Sequence, residues 1–436
     1  MSGGEAPRPA TTAMARPSAS AGRNGLRSAH VMCALLLILS IFFQKVAIPG
    51  TGGLLPMSFL GLVGLAGYGL VTGQLVASLG TLTLFVAFAL LATLSAIAST
   101  AVGLSRFSLA FLLVVQFPLA LRLASGAMDP DWPLDLFNRL MAVVAALGIA
   151  QFLAQFALGP TIPFALDLFM PPALALQGFN QVIPLEYGSP YLKSNGVFLA
   201  EPSFFSQFLA IGVVVELTRR CRRGRLTLYA AALVVSFSGT GLLMLAIFVP
   251  LMLLRRASLW GLVTCLSLAV AGVGAAALGL ASPVERLDEF GQPGSSGYAR
   301  FVSPLVYIHD RILPDTLALA IGRGPGTVWE AIDQMPYPAF DPTWAKLFYE
   351  YGSLGFVAYL LFFASALTHA RAHALKGPLV VTYFFLGGYT QNPFMLSLLV
   401  ALLVWAARPT GAAAPRLEAA ARGAWRAMPR HEEQGG

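Results

Sequence analysis

An apolar stretch bounded by basic residues at both ends constrains this chain more than any other feature of its sequence. Residues 226–254 are apolar, and they lie between an arginine cluster at 219–225 and the arginine pair at 255–256. Basic residues beside a membrane span remain on the cytoplasmic side. Both ends of the stretch are therefore expected in the cytoplasm, which a single crossing cannot achieve. The stretch must cross, turn and return, and residues 236–241 (Ser-Phe-Ser-Gly-Thr-Gly) favour such a turn.

A second stretch, residues 378–407, has the same pattern between basic residues at 371–376 and Arg408, and Gln-Asn-Pro at 391–393 interrupts it. With 57% hydrophobic and 11% charged residues, the chain has too little polar surface for a soluble protein of 436 residues. We predict an all-α, polytopic membrane protein with about twelve transmembrane helices, several of them short. The predicted spans are residues 31–46, 54–72, 75–98, 107–124, 140–158, 198–217, 226–237, 241–254, 258–281, 347–368, 378–390 and 393–407.

The distribution of charge predicts an orientation for these spans. Placing both termini in the cytoplasm assigns 20 of the 28 Lys and Arg residues to the inner side. The net charge of +8 then reflects topology, with anionic lipid headgroups as expected partners of the arginines and no nucleic acid as a partner. The predicted domains are a disordered cytoplasmic tail (1–30), a transmembrane domain (31–407) and a cytoplasmic tail (408–436). Two long external loops, about 159–197 and 282–346, hold most of the external charge.

The first long loop ends in a polar segment that leads into a predicted span. Glu201 and Pro202 are typical of a helix start, because proline loses nothing at an early helical position and a carboxylate favours the helix N-terminus. The alternative is that Glu201 is a catalytic acid or base. Lys193 lies just before this segment and could supply a positive charge.

The second long loop carries arginines that face outward, against the inside bias of the rest of the chain. They are Arg286, Arg300, Arg311 and Arg323. A guanidinium fork suits bidentate phosphate binding, and a diphosphate would require two or more. The alternative is a solvated loop with internal ion pairs. The glycine-rich residues 322–326 could form a backbone nest for an anion, although a simple turn is the safer interpretation.

Candidates for proton transfer follow in the same loop and in the next span. Lys346 and Glu350 are four residues apart on a predicted helix, so they could simply form an ion pair, or Glu350 could be a general base held by the lysine. His309 is the only external histidine and a second candidate, although a lone loop histidine is usually just solvated. The sequence shows no carboxylate cluster suited to a divalent cation, and we predict neither a metal nor a cofactor.

Taken together, these segments resemble the bacterial O-antigen and exopolysaccharide polymerases, which share a superfamily with the O-antigen ligases. The resemblance rests on Gly196, Phe198 and Glu201-Pro202-Ser203, on Ser238-Gly239-Thr240-Gly241, on Arg300, on Gly322, Gly324 and Gly326, and on Lys346-Leu347, Glu350-Tyr351-Gly352 and Gly355. It implies a glycosyltransferase of the bacterial inner membrane that works on the periplasmic face without a metal or a nucleotide sugar. A growing glycan on undecaprenyl diphosphate is transferred to the next lipid-linked repeat unit.

The resemblance also implies roles for individual residues. Those implied in binding the substrates are Lys193, Arg300, Arg323, Lys346 and His309. Those implied in positioning or deprotonating the acceptor are Glu201, Asp341 and Glu350. Two positions depart from the family pattern: Lys193 stands where many relatives have arginine, and Asp341 stands where the ligases usually have histidine. The second departure favours a polymerase over a ligase.

Two other functions remain open at this point. An O-antigen ligase would transfer finished glycan to a lipid or protein acceptor, and it belongs to the same superfamily. A lipid-linked oligosaccharide flippase would also have about twelve spans, but it is expected to line a central cavity with intramembrane charges, which these spans lack. A polymerase of this kind is expected to work with a flippase and with a co-polymerase that sets chain length.

Overall fold

The computed structural model describes residues 19–99, 101, 103–124, 128–186, 188–255, 291–295, 297–386 and 393–406, and these ranges are mainly helical. The α-helices are Ala19–Phe42, Met57–Val71, Leu79–Ala98, Arg106–Gln116, Trp132–Leu158, Ala165–Phe169, Pro202–Arg219, Arg223–Ser236, Gly239–Arg255, Ser303–Arg311, Thr316–Ile321, Val328–Asp333, Thr343–Leu367, His373–Val381 and Pro393–Leu399. A 3₁₀-helix (Phe117–Ala120) and π-helices (Tyr298–Val302, Thr382–Leu386 and Val400–Val404) extend this set. The all-α prediction is confirmed.

Every predicted span within the described residues coincides with a helix. Three of these helices are long and apolar enough to cross a membrane on their own: Leu79–Ala98, Trp132–Leu158 and Thr343–Leu367. The other helices are shorter or less continuously apolar, so the number of crossings and their orientation remain predictions. The predicted span 258–281 lies outside the described residues, as do residues 1–18, the turn at 391–392 and the tail from 407 onward.

Two differences from the prediction have simple physical causes. The first helix begins at Ala19, inside the region predicted to be a disordered tail, because Ala, Arg and Leu in this segment are good helix formers. The helices in two predicted spans, 75–98 and 107–124, are also shorter than expected. The ends of these spans, Leu75–Ala77 and Leu121–Leu123, pair as a two-stranded antiparallel sheet, since Pro118 cannot continue the preceding helix.

The predicted turn at residues 236–241 is confirmed. Helix Arg223–Ser236 ends with Phe237 in the left-handed region (φ 46°, ψ 34°), and the next helix begins at Gly239. A side chain at Gly241 would collide with the backbone carbonyl of Ser206 on a neighbouring helix. Glycine at this position therefore lets the returning helix pack closely against helix Pro202–Arg219, which is buried along most of its length.

The arginine cluster at 219–225 has partners within the protein. Arg219 pairs with Asp131 and with Asp135, the latter at 3.1 Å, and Arg225 Nη1 lies 2.8 Å from the buried Glu216 carboxylate. Lipid headgroups were the expected partners of these arginines. Acidic residues of the protein pair with several of these charges directly, and lipid headgroups stay the predicted partners of the others.

Candidate active site

A buried lysine that the sequence did not single out fixes the first long loop. Lys45 is 1% exposed, forms an ion pair with Asp167 and donates a hydrogen bond to the carbonyl of Val197 (2.5 Å). Asn195 Nδ2 donates to the same Asp167 carboxylate at 3.0 Å. Gly196 and Val197 both have φ of 70°, which is unfavourable for valine and persists only where the surroundings enforce it. A lone lysine at the end of an apolar span was the only available sequence signal for this network.

This fixed loop delivers Glu201 to the start of helix Pro202–Arg219. Glu201 is the N-cap residue and Pro202 is the first helical residue, so the predicted helix start is confirmed. The Glu201 side chain does not cap its own helix, however. Its Oε1 accepts a hydrogen bond from the backbone N–H of Asn180 (2.9 Å), and its Oε2 accepts one from the Ser203 hydroxyl (2.7 Å). The carboxylate is thus held by one loop N–H and by the hydroxyl of the second helical residue.

The second long loop brings Arg300 to this carboxylate. Arg300 lies on the π-helix Tyr298–Val302, a form of helix that is rare and frequent at functional sites. Its Nη2 lies 4.0 Å from Glu201 Oε2, and its guanidinium carbon lies 5.7 Å from the centre of the Phe340 ring. Burial lowers the pKa of Arg300, the Glu201 carboxylate opposes that shift, and the group stays cationic at neutral pH.

Glu201 and Arg300 line a small cavity that we call the narrow cleft. Its volume is about 50 Å³, and the Ser203 hydroxyl also faces it. Its other walls are largely aromatic and include Phe179, Phe204, Phe340 and Phe385. Phe385 comes from the π-helix Thr382–Leu386, so the narrow cleft lies where residues of the two predicted long loops meet a helix of the last predicted pair of spans. One cation, one carboxylate and one hydroxyl within apolar walls suit an anionic headgroup attached to a lipid.

Three of the predicted site residues lie behind the wall of this cleft, and we call them the sealed group: Asp341, Lys346 and Glu350. Lys346 Nζ lies 2.6 Å from Glu350 Oε1, and the two side chains are 1% and 0% exposed. Asp341 is 1% exposed, and neither of its carboxylate oxygens has a hydrogen-bond partner among the described residues. Burial raises the pKa of Asp341 well above its usual range, Lys346 opposes the shift, and Glu350 adds to it.

The sealed group is buried in this structure, and the role of its residues at the substrate stays a prediction. Phe340 and Pro342, on either side of Asp341, line the narrow cleft, whereas the Asp341 side chain itself is buried. The predicted Lys346–Glu350 ion pair is present, but its atoms are closed to any ligand in this conformation. Contact with a substrate would require the wall formed by residues 340–342 to move.

The glycine-rich segment 322–326 does not form the anion-binding nest that the sequence allowed. Helix Thr343–Leu367 is broken at Gly352 (φ 64°, ψ −171°), which frees the carbonyls of Tyr349 and Glu350. The N–H groups of Arg323 and Gly324 donate to these two carbonyls, each at 2.9 Å. The segment is therefore a turn that docks against the broken helix and covers the sealed group, and the nest hypothesis is wrong because these donors are already used.

The remaining predicted residues lie elsewhere. Arg323 lines a second cavity, here called the wide cleft, whose charged and phenolic lining residues are Asp310, Arg311, Asp315, Arg323, Glu330 and Tyr349. His309 is 76% exposed, with its Nδ1 2.9 Å from Asp310 Oδ1. The backbone of Lys193 pairs with Ile183 in the first loop. Neither Lys193 nor His309 lines either cleft, and Arg300 and Arg323 line different ones. Among the predicted residues, the structure thus brings Glu201 and Arg300 together at the narrow cleft, and Asp341, Lys346 and Glu350 together in the sealed group.

Within the described part of the chain, no three His, Cys, Asp or Glu side chains are grouped so that they could hold a metal ion. Among the described residues, the cationic candidates for an anionic ligand are arginine and lysine side chains. Of these, Arg300 is the one that reaches the narrow cleft.

Comparison with known families gives a match over most of the chain. Residues 32–328 match the WcaD colanic acid polymerase family. The matched region includes Lys45, Glu201, Arg300 and Arg323, and it ends before the sealed group. No curated protein matches the chain. The family match covers more than half of the sequence and agrees with the apolar helices, and the chain belongs to the WcaD colanic acid polymerase family.

Proposed function

We propose that this protein polymerises undecaprenyl-diphosphate-linked repeat units into exopolysaccharide or O-antigen at the periplasmic face of the bacterial inner membrane. Family membership supports polymerisation of polysaccharide repeat units from lipid-linked glycans. The finer proposal rests on one observation, the pairing of Glu201 with Arg300 in the narrow cleft. With twelve crossings and both termini in the cytoplasm, both clefts lie on the periplasmic side.

Arg300 is the proposed ligand for the donor diphosphate. Its distance of 4.0 Å from Glu201 is at the limit of an ion pair, and its side chain is 20% exposed, so the contact is loose. A diphosphate carries more charge than one carboxylate and matches the planar guanidinium fork. The aromatic walls of the narrow cleft would lie beside the first carbons of the lipid. A bound donor would therefore draw Arg300 away from Glu201.

Once Arg300 binds the diphosphate and leaves Glu201, the Glu201 carboxylate is available to act as the general base. The hydroxyl of the acceptor sugar attacks the anomeric carbon of the growing glycan, and a new carbon–oxygen bond forms as the bond to the diphosphate breaks. The leaving undecaprenyl diphosphate takes the bonding electron pair and is stabilised by Arg300. Glu201 takes the hydroxyl proton, and Ser203 holds its second oxygen in place. Because the donor is already activated as a diphosphate, we propose transfer without a metal, with inversion at the anomeric carbon.

The other candidate residues receive supporting roles in this proposal. The sealed group (Asp341, Lys346 and Glu350) supports the wall of the narrow cleft from behind and does not touch the substrate. Lys193, which departs from the family pattern, is a candidate for a second phosphate contact from the first loop. His309 is exposed at the edge of the second loop and is not needed for proton transfer.

The experiment that tests this function is the size profile of glycan in a strain that lacks the gene and in the complemented strain. Glycan is measured both on undecaprenyl diphosphate and at the cell surface. A polymerase predicts single repeat units without long chains in the deletion strain and a restored ladder on complementation. Long chains that accumulate on the lipid carrier would indicate a ligase instead, and single units confined to the cytoplasmic leaflet would indicate a flippase.

A further inference from the structure

The wide cleft takes no part in the proposed bond-forming step, yet it is the larger of the two cavities. Its volume is about 540 Å³, against about 50 Å³ for the narrow cleft. Small-molecule sites typically measure about 300–1,000 Å³, so the wide cleft has the size of a binding site and the narrow cleft does not hold more than a headgroup. It lies between the connection after helix Leu79–Ala98 and the second long loop.

The chemistry of the wide cleft differs from that of the narrow cleft. Carboxylates, guanidinium groups and a phenol line it, where the narrow cleft has aromatic walls. Several of these groups are held in place by the protein. Asp315 accepts hydrogen bonds from the N–H groups of Leu317 and Ala318 and lies 3.2 Å from Arg323, and Arg311 donates to Gln334 Oε1 at 2.6 Å. The result is a fixed surface of acceptors and donors, which suits a ligand with many hydroxyl groups.

Helix Val328–Asp333 presents one exposed carboxylate to this surface, whereas its exposed tryptophan does not line the wide cleft. Trp329 is 43% exposed on helix Val328–Asp333, whereas Val328 and Ala331 on the same helix are buried. The next residue, Glu330, is exposed and lines the wide cleft. The Glu330 carboxylate can accept hydrogen bonds from the hydroxyls of a sugar ring.

The two clefts are close enough for one glycan to reach both. Phe340 lines the narrow cleft and Tyr349 lines the wide cleft. The chain between them is short and mostly helical, since helix Thr343–Leu367 begins three residues after Phe340. The two Cα atoms are thus at most about 20 Å apart, from about 3.5 Å per extended residue and 1.5 Å per helical residue. An oligosaccharide of a few residues spans such a distance.

We propose that the wide cleft is a saccharide-binding subsite that holds sugar residues of the glycan substrate away from the reacting end. This inference rests on the proposed function, because it assigns the subsite to the same substrate. The donor or acceptor is then bound at two points: by its diphosphate or reacting hydroxyl in the narrow cleft, and by sugars several residues away in the wide cleft.

Binding of oligosaccharide to the purified, full-length protein in lipid nanodiscs tests this proposal. The probe is lipid-free oligosaccharide prepared by partial acid hydrolysis of the polysaccharide that the host strain makes, and the dissociation constant is measured by titration calorimetry. The variants are Glu330→Gln and Trp329→Ala. The matched control is Glu186→Gln, because Glu186 is an exposed carboxylate on the first long loop that lines neither cleft among the described residues. Arg300→Ala is measured in parallel.

We expect Glu330→Gln to weaken binding about tenfold or more, as for loss of a hydrogen bond to a charged group. Trp329→Ala, Glu186→Gln and Arg300→Ala are expected to bind as the wild type does, because none of these residues lines the wide cleft. The proposal is overturned if wild-type protein does not bind the oligosaccharide, if Glu330→Gln does not weaken binding, or if Arg300→Ala abolishes it, since the sugars would then be held at the narrow cleft.

Failure of the subsite and failure of the proposed function give different results. Polymer ladders are recorded from cells that carry the same variants. Loss of polymer in Arg300→Ala with unchanged oligosaccharide binding supports both proposals. Wild-type binding that weakens in Glu330→Gln, together with normal polymer in the deletion strain, would retain the subsite and refute the polymerase.

Discussion

Two carboxylate–cation pairs of this protein use the same chemistry in opposite settings. Glu201 and Arg300 meet at 4.0 Å, with side chains that are 12% and 20% exposed, at the edge of a cavity. Glu350 and Lys346 meet at 2.6 Å and are 0% and 1% exposed. Only the first pair can exchange its partner for a ligand, because the second would have to leave an unpaired charge in a buried site. On this difference we base the proposal that the first pair takes part in the reaction and the second is structural.

Glycine geometry explains why the second pair is closed. The break at Gly352 frees the carbonyl of Glu350, which then accepts from the N–H of Gly324 and from the Ser95 hydroxyl (2.7 Å). The turn at 322–326 is thereby held over the helix. Around Glu201 the loop is also held in place, by Lys45, but the Glu201 side chain faces a cavity. Both regions therefore have a backbone fixed by side-chain or backbone contacts, and they differ in the exposure of the carboxylate.

The largest effect is expected from breaking the sealed pair. Lys346→Met leaves the Glu350 carboxylate buried without its cation, which typically costs about 3–5 kcal/mol of stability. We expect little folded protein in the membrane, and a strongly lowered melting temperature for what is recovered. The double variant Lys346→Met/Glu350→Met removes both charges and should restore much of the abundance. Wild-type abundance and melting temperature for Lys346→Met alone would show that the pair is not structural.

The next largest effect concerns the pair of Glu201 and Arg300, where we expect a loss of activity without a loss of stability. Glu201→Gln keeps an acceptor for the N–H of Asn180 but removes the negative charge, so the protein should fold while losing its general base. We expect polymer formation to fall about 100-fold or more, the usual contribution of a general base. Polymer is compared at equal protein level, with Glu186→Gln as the control. Unchanged polymer in Glu201→Gln would leave this residue with only its role at the helix start.

A smaller effect is expected from the glycine that closes the sealed group. In Gly352→Ala the new methyl carbon would lie 2.5 Å from the carbonyl carbon of Ala320, in a left-handed backbone that disfavours alanine. Strain of this kind costs about 1–3 kcal/mol, and we expect a lower melting temperature. Gly64→Ala is the matched control, since Gly64 lies in helix Met57–Val71 with open space around it. Equal melting temperatures for the two variants would contradict this account of the turn.

The smallest expected effect is a pH dependence at Asp341. Burial raises the pKa of Asp341 in the folded protein, so the folded state binds a proton more tightly than the unfolded chain does. Stability from this group is therefore present below the unfolded pKa, about 4, and is lost as pH rises toward the folded pKa. Asp341→Asn stays neutral at every pH. We expect the melting temperature of Asp341→Asn to exceed that of the wild type by a margin that grows between pH 4 and pH 7. A margin that stays constant over this range would contradict the raised pKa of Asp341.

The sequence predicts the helices of this protein well, and its sites only in part. Apolar runs and basic flanks locate the helices because both signals are local, and the turn at 236–241 follows from its glycines. Glu201 and Arg300 could be identified as candidates, but 99 positions separate them in the sequence, and no local pattern shows that they meet. The sealing of Lys346 and Glu350 depends on the turn at 322–326, so their four-residue spacing could not reveal it.

The most direct test of the central claim is polymerisation by purified protein in nanodiscs supplied with lipid-linked repeat units. Wild type, Arg300→Ala, Arg300→Lys and Arg106→Ala are compared by glycan ladder and by release of undecaprenyl diphosphate, Arg106 being an exposed arginine that lines neither cleft among the described residues. We predict a ladder for wild type and Arg106→Ala, a rate about 100- to 1,000-fold lower for Arg300→Ala, and partial activity for Arg300→Lys. A normal ladder from folded Arg300→Ala would contradict the assignment of the narrow cleft as the active site.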